Sequence, residues 1–387
     1  MTLSAWEKEL AQVMPRVLDI RRRLHRHPEL SGQEAWTRQT IVGELTALGV
    51  SCRFFEGCNG VMGVIENGPG RCLAIRADMD ALPVTEATGL PFASENPGVM
   101  HACGHDAHMA IALGTAMWLT HNRDKWHGTA KLLFEPAEET DGGGQWMVAQ
   151  GCMRSPTVDC VIGQHMNPHY DAGVFFSKPG YVSGASDEVL LSVTGKCCHG
   201  AYPESGTDAI VLASQVVCAL QTLVSRNLSP LDSAVLTLGT VSGGKANNIV
   251  CGRVDFTGTL RTLREDTRAF LKDRICQTAC GVARALGGDA EVTFRPSYGA
   301  VYNDDGWYAR FAPLAEEILG RERMARREAP SLGVESFCYF LKETPGVYYD
   351  LGSGKGTALH TDTFLVDEAC LLPAVALQCA IAQNVLG

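Results

Sequence analysis

Three short apolar runs in the first half of the chain each end in a cluster of polar residues. Residues 72–75 lead into Arg76-Ala77-Asp78-Met79-Asp80, and 130–134 into Glu135-Pro136-Ala137-Glu138-Glu139. Residues 159–163 lead into Gln164-His165. Apolar runs of four or five residues bounded by Gly and Pro read as buried strands. Helical stretches alternate with them, at 4–26, 35–48 and 106–120, with Asp106 as an N-cap of the last. That alternation predicts an α/β sheet with helices on both faces, and such sheets build their sites just beyond the strand ends.

The pattern changes near residue 181. Strand-like 187–195, helical 207–223, strands 234–241 and 254–260, helical 266–286 and a strand at 291–295 follow one another. This strand–helix–strand–strand–helix–strand order predicts a ferredoxin-like α+β unit. The larger pattern then resumes with a helix at 305–319, a strand at 346–351 and a closing helix. At 387 residues, two domains are expected. The reading is an insertion: 181–295 within a domain formed by 1–180 plus 296–387.

Composition narrows the partners. A net charge of −10 argues against nucleic acid or an anionic membrane as the natural partner. The N-terminal segment lacks a basic region leading into an apolar core, and no run is read as long enough to span a bilayer. The fifteen cysteines show no regular framework, which suits reduced thiols, so a cytoplasmic protein is expected.

The densest chemistry lies in Met100-His101-Ala102-Cys103-Gly104-His105-Asp106-Ala107-His108. One thiol, three imidazoles and a carboxylate in nine residues are hard to explain by packing. Hydrolysis of an unactivated amide needs a strong nucleophile and a stabilised oxyanion, and a divalent ion can supply both. Candidate ligands are Cys103, His105, Glu138, Glu139, His165 and His360. Taken singly, His165 or His360 reads as an ordinary loop histidine, Cys103 as a small buried hydrophobe and Glu138-Glu139 as a helix-start acid pair. A structural zinc site is the competing reading, weakened because no second Cys-x-x-Cys or His-x-x-x-His lies nearby.

Read together, these motifs resemble the M20 metallopeptidase family in its aminoacylase/amidohydrolase branch. The segments that carry the resemblance are Arg22 to Leu30, Arg76 to Pro83, Met100 to His108 and Pro136 to Glu139, with Gly195 to His199, Gly239 to Asn248 and Gly258 to Arg261 in the insertion. The resemblance implies a zinc-exopeptidase-like catalytic domain with an inserted lid and dimerisation domain. It implies two divalent ions (Zn, Mn, Co or Ni), bridged by Cys103 and held by His105, Glu139, His165 and His360. Glu138 would be the general base and Asp78 would orient a ligand. His199 would act on the scissile carbonyl in a partner subunit, and Asn248 and Arg261 would hold a substrate carboxylate. The implied activity is cleavage of an N-acyl amino acid by metal-activated water, in a homodimer. A hydrolytic deaminase or carboxypeptidase on the same centre, or a metal-binding scaffold without turnover, are the alternatives.

The chain departs from that pattern in places. Glu135 stands where Gln is usual, Cys197-Cys198 for Gly-Gly, Glu204 for His, and Ile249-Val250-Cys251 for Val-Ile-Pro. Ser336 replaces Asp, and Thr361-Asp362 replaces Ser-Pro. These changes bear on the substrate more than on the metals.

Overall fold

A computed structural model describes residues 1–387, the side chain of Pro296 excepted. The chain divides into two compact units. The first takes Met1–Val182, Tyr302–Ala329 and Ser336–Gly387, and the second Ser183–Val301 with Pro330–Glu335.

The first unit is built on an eight-stranded mixed sheet. From edge to edge its strands are Ser51–Phe54, Val61–Asn67, Gly128–Glu135, Cys72–Asp78, Cys160–Asn167, Gly346–Gly352, Phe175–Ser177 and Met324–Arg326. The four central strands run parallel to one another. Every residue of Cys72–Asp78, Gly128–Glu135 and Gly346–Gly352 is buried. Near-continuous apolar runs are what a strand covered on both faces requires. The helix His105–His121 is buried from His105 to Leu119 and packs against Met14–Arg26 and the closing helix Leu371–Leu386.

The second unit is a four-stranded antiparallel sheet in the order Asp289–Pro296, Ala185–Thr194, Arg253–Thr262, Ala234–Gly243. Numbered along the chain, that order is 4-1-3-2, the ferredoxin-like arrangement. The strand Ala185–Thr194 alternates buried and half-buried residues over most of its length. Such alternation marks a sheet covered on one face. The cover is Ala209–Asn227 and Glu265–Ala285, whose Leu212, Val216, Leu220, Leu271 and Ile275 meet Val189, Leu191 and Val193 in a separate core.

Several expectations need correction. The single helix expected over 4–26 is two, Leu3–Glu9 and Met14–Arg26, because Pro15 lacks an N–H and suits only a first turn. Asp106 is not an N-cap. Gly104 holds that position at φ 86°, and Asp106 instead forms an ion pair with Arg21 and a hydrogen bond with His25 Nδ1, each at 2.9 Å. The strand expected at 159–163 continues to Asn167, so His165 lies within it. The second unit extends beyond 295 and reclaims Pro330–Glu335, where the Gly333 carbonyl accepts from the Gly184 N–H at 3.0 Å. Two segments, Ala209–Asn227 and Glu368–Leu386, are long and apolar enough to cross a bilayer, contrary to the reading of the sequence; the second is mostly buried in the first unit.

Candidate metal centre

Gly104 decides where Cys103 points. At φ 86° it takes a left-handed conformation, and a Cβ there would lie 3.1 Å from the Met166 side chain. The chain can therefore turn sharply between Cys103 and the helix that starts at His105. Cys103 Sγ lies 3.3 Å from Nε2 of His165 and 3.3 Å from Nε2 of His360. His360 Nε2 is 3.4 Å from Glu139 Oε1, which is 3.9 Å from His105 Nε2. Two non-glycine residues adopt positive φ here: Ala137 (54°), just before the Glu138-Glu139 pair, and His360 (64°). Such conformations persist only where the surroundings enforce them, and they concentrate at functional sites.

His105 and His165 are each held by Nδ1, whereas His360 is exposed. His105 Nδ1 donates to the Asp80 carbonyl at 2.9 Å, and His165 Nδ1 to the Met166 carbonyl at 2.8 Å. Nε2 of both is thereby left as the ligand atom. His108 differs. Its Nε2 accepts from the Met166 N–H at 2.9 Å, so Nδ1 carries the proton and donates to Asp78 Oδ1 at 2.5 Å. With both nitrogens engaged, His108 is a buttress for Asp78 and cannot be a ligand.

Two three-residue groups able to hold an ion meet at one atom. Cys103, His105 and His165 form one, and Cys103, Glu139 and His360 the other. Three buried atoms of the site have no hydrogen-bond partner: His105 Nε2, Glu139 Oε1 and Asp80 Oδ1. An unsatisfied buried polar atom costs about 1–3 kcal/mol. A cation among them removes that cost, and the mixed N, O and S donors suit a borderline divalent ion. The residues present therefore fit divalent metal ions.

Burial and neighbouring charges set the proton affinities of the cluster. Burial pushes Asp78 up, but Arg76, His105 and His108 outweigh it and hold the carboxyl well below the usual range. Burial lowers the affinity of His105 for a proton, yet the charge of Asp78 and the hydrogen bond to Asp80 raise it well above an ordinary histidine. Glu139, raised by burial, is brought down by His360 and His105. Burial drives the Cys103 thiol well up. Protons held this way are the ones that a metal displaces.

Glu138 is buried beside the cluster, and its Oε1 accepts from the Ser336 N–H at 3.2 Å. Asp80, unassigned in the sequence reading, accepts from the Glu139 N–H at 3.0 Å and from Ser31 at 2.7 Å, so it fixes the pair of glutamates from behind. Arg76 was missed as well. Its Nε donates to Glu135 Oε2 at 2.6 Å, its Nη1 to Asp78 Oδ2 at 2.6 Å and its Nη2 to Ser336 Oγ at 2.8 Å. The available signal was strand spacing, because Arg76 and Asp78 sit two apart on one face.

The structure gathers Cys103, His105, Glu138, Glu139, His165, His360 and Asp78 in the first unit. His199, Asn248 and Arg261 belong to the second. His199 is exposed, and its Nδ1 accepts from the Ala201 N–H at 3.1 Å, which leaves the proton of the neutral ring on Nε2. Asn248 is exposed, and its carbonyl accepts from the Gly200 N–H at 2.7 Å. Arg261 is half-buried, with Nη1 3.4 Å from the Leu332 carbonyl.

Comparison with known proteins agrees with this picture. The family described as Peptidase family M20/M25/M40 matches residues 74–384. The N-acetyldiaminopimelate deacetylase of Bacillus velezensis is 38% identical over 93% of this chain and 96% of its own length. The N-acetyl-L-cysteine deacetylase of Bacillus subtilis is 36% identical over 97% and 87%. The solved structure of Bacillus subtilis YXEP, a dinuclear metal binding peptidase of the M20 family, superposes with a TM-score of 0.85 at 31% identity, covering 97% of this chain and 99% of that one. A cluster of side chains able to hold a metal ion, an inserted ferredoxin-like unit and full-length similarity to amide hydrolases lead to one conclusion: the chain belongs to the M20/M25/M40 peptidase family, in its amidohydrolase branch, and is a metal-dependent hydrolase of amide bonds.

Proposed function

We propose that this enzyme removes the acyl group from a small N-acyl amino acid, and that Cys103, His105, His165, Glu139 and His360 would hold two divalent ions for the reaction. One observation carries the reading: two ligand groups share a single buried thiol, with a second glutamate, Glu138, beside them. Bound divalent ions supply an acidified water and a polarised carbonyl. Glu138 takes the proton of the attacking water and returns it to the leaving nitrogen. Oε1 is held by the Ser336 N–H, which aims the carboxylate. His199 donates its Nε2 proton to the developing oxyanion. Arg261 and Asn248 hold the substrate carboxylate, for which a planar guanidinium is suited.

Relatives named for N-acetyldiaminopimelate and N-acetyl-L-cysteine support a small acylated amino acid as substrate. Zn, Mn, Co and Ni all suit the donor set. The net charge of −10 supports a small molecule rather than nucleic acid or an anionic membrane as partner. The fifteen free cysteines support a reducing, cytoplasmic setting. A homodimer through the second unit belongs to the same reading. The edge strand Ala234–Gly243 exposes Val235 and Val241, and beside it lies an apolar groove of about 570 Å³ lined by Ile210, Val217, Val241 and Phe256. An edge strand of this kind can pair with its own two-fold copy.

The test is a panel of N-acetyl amino acids, dipeptides and aromatic amines, assayed after loading with each metal and with bound metal quantified. Release of acetate and a free amino acid is the expected outcome. Ammonia as the only small product would replace this reading with deamination.

A further inference from the structure

We propose that Glu34 is a positioning residue for Glu138: its buried carboxylate clamps the peptide N–H of Ala137 and so holds the left-handed turn that delivers Glu138 to the ligand cluster. The inference rests on Glu138 being the proton shuttle. The strand Gly128–Glu135 leads into Pro136, and the chain turns at Ala137 before it reaches Glu138. Ala137 makes that turn at φ 54°, which is unfavourable for a residue with a Cβ and free only for glycine. Two contacts hold it there. Its carbonyl accepts from the Gly142 N–H at 2.8 Å, and its N–H donates to Oε1 of Glu34, 103 residues away, at 2.8 Å. On the other side of Glu138, the Glu139 N–H donates to Asp80 Oδ2 at 3.0 Å, and Ser31 donates to the same oxygen at 2.7 Å. The short segment 31–34 thus supports the backbone on both sides of Glu138, directly through Glu34 and by way of Asp80.

The surroundings of Glu34 call for a carboxylate. Glu34 is fully buried, and Oε1 accepts from the Gly32 N–H at 2.9 Å as well as from Ala137. Oε2 accepts from Asn59 Nδ2 at 2.9 Å, and that nitrogen also donates to the Gly32 carbonyl at 3.1 Å, which fixes the orientation of the amide. Burial pushes the Glu34 carboxyl up, and these donors pull it part of the way back. Because donors face both oxygens, a glutamine of the same size would set its NH2 group against one of them. Without the clamp, Ala137 relaxes toward negative φ and carries Glu138 away from the cluster. A glycine at 137 has no such preference and keeps the turn unaided. Asp80 still holds the Glu139 N–H, so the ligand is left in place.

The experiment is a double-mutant cycle on the metal-loaded enzyme: Glu34→Gln, Ala137→Gly and both. Kinetics use the N-acetyl amino acid that the wild type turns over fastest. Bound metal and hydrogen–deuterium exchange of the peptide covering 136–143 are measured on the same samples. Glu34→Gln is expected to lower kcat about tenfold, with KM within about twofold, metal content unchanged and faster exchange in that peptide. Ala137→Gly alone is expected to stay within about threefold of wild type. The double variant is expected to recover kcat to within about threefold of Ala137→Gly, a rescue that general support of the fold would not produce. Wild-type kcat in Glu34→Gln, a loss expressed in KM or metal content, or a double variant as slow as the product of the two single losses overturns the proposal. Should Glu34→Gln fail to fold, the double variant decides: near wild-type kcat supports the clamp, and a tenfold loss overturns it. Failure of both to fold makes Glu34 a folding residue and overturns it as well. Glu138→Ala in the same series separates the two readings. If it keeps turnover, the shuttle role fails; if it is inactive while Glu34→Gln is fully active, only the present inference fails.

Discussion

The two units carry their polar residues in opposite ways. In the first, Asp78, His105 and His108 are buried and hydrogen-bonded, and Cys103 is buried between two imidazoles. In the second, His199 and Asn248 are exposed and accept from the neighbouring loop N–H groups of Ala201, Tyr202 and Gly200, and Arg261 makes a long contact to a carbonyl. The difference teaches how labour divides in such an enzyme. Ligands to a highly charged ion are best held before the ion arrives, and His105 and His165 are fixed in that way by the Asp80 and Met166 carbonyls, while His360 alone of the set is exposed. Groups that touch a substrate must let it enter and leave, so they sit on an exposed, locally supported surface. Substitutions in the first unit should therefore cost metal, and those in the second should cost turnover or substrate affinity with the metal retained.

The sharpest break of that contrast is Cys103→Ala. It removes the atom common to both ligand groups, so both ions should be lost and turnover abolished, as measured by metal analysis of the dialysed protein. Retention of two equivalents would mean that the thiol is not shared. Next is His199→Ala, where kcat should fall by about 10²–10³ with full metal content, in the range seen on removal of one oxyanion donor. Asp78→Asn should weaken metal binding about 10- to 100-fold by freeing His108 and loosening the cage around His105, read by competition with a chelator. Arg261→Lys should raise KM about tenfold by removing one of two parallel hydrogen bonds to a carboxylate, with metal content and thermal midpoint unchanged. A change in metal content on Arg261→Lys would erase the distinction between the units.

Much of the first unit's site is legible in the sequence because its ligands follow apolar runs. His165 lies in a strand, Glu138 and Glu139 just beyond one, and Cys103 and His105 at a helix start, and that they form one ligand set is what the family resemblance implies. The second unit's element order is equally readable, since each strand and helix has its own periodicity. What sequence does not reveal is set by contacts between distant segments. Arg76 meets Glu135 and Ser336 across 59 and 260 residues, and Ser336 acts on Glu138 through its backbone N–H, which no side-chain motif encodes. His108 is excluded as a ligand by the Met166 N–H, visible only once the strand Cys160–Asn167 is placed beside it. Asp106 reads as an N-cap by position, but the buried Arg21 and His25 claim it. The return of Pro330–Glu335 to the second unit carries no periodic signal, so the insertion reads as one continuous piece.

The most direct measurement is turnover and bound metal in Glu138→Ala. The account predicts two metal equivalents per chain and a rate on the best N-acetyl amino acid lower by about 10²–10⁴, the contribution of a positioned proton shuttle. Near wild-type turnover with both ions bound would contradict it.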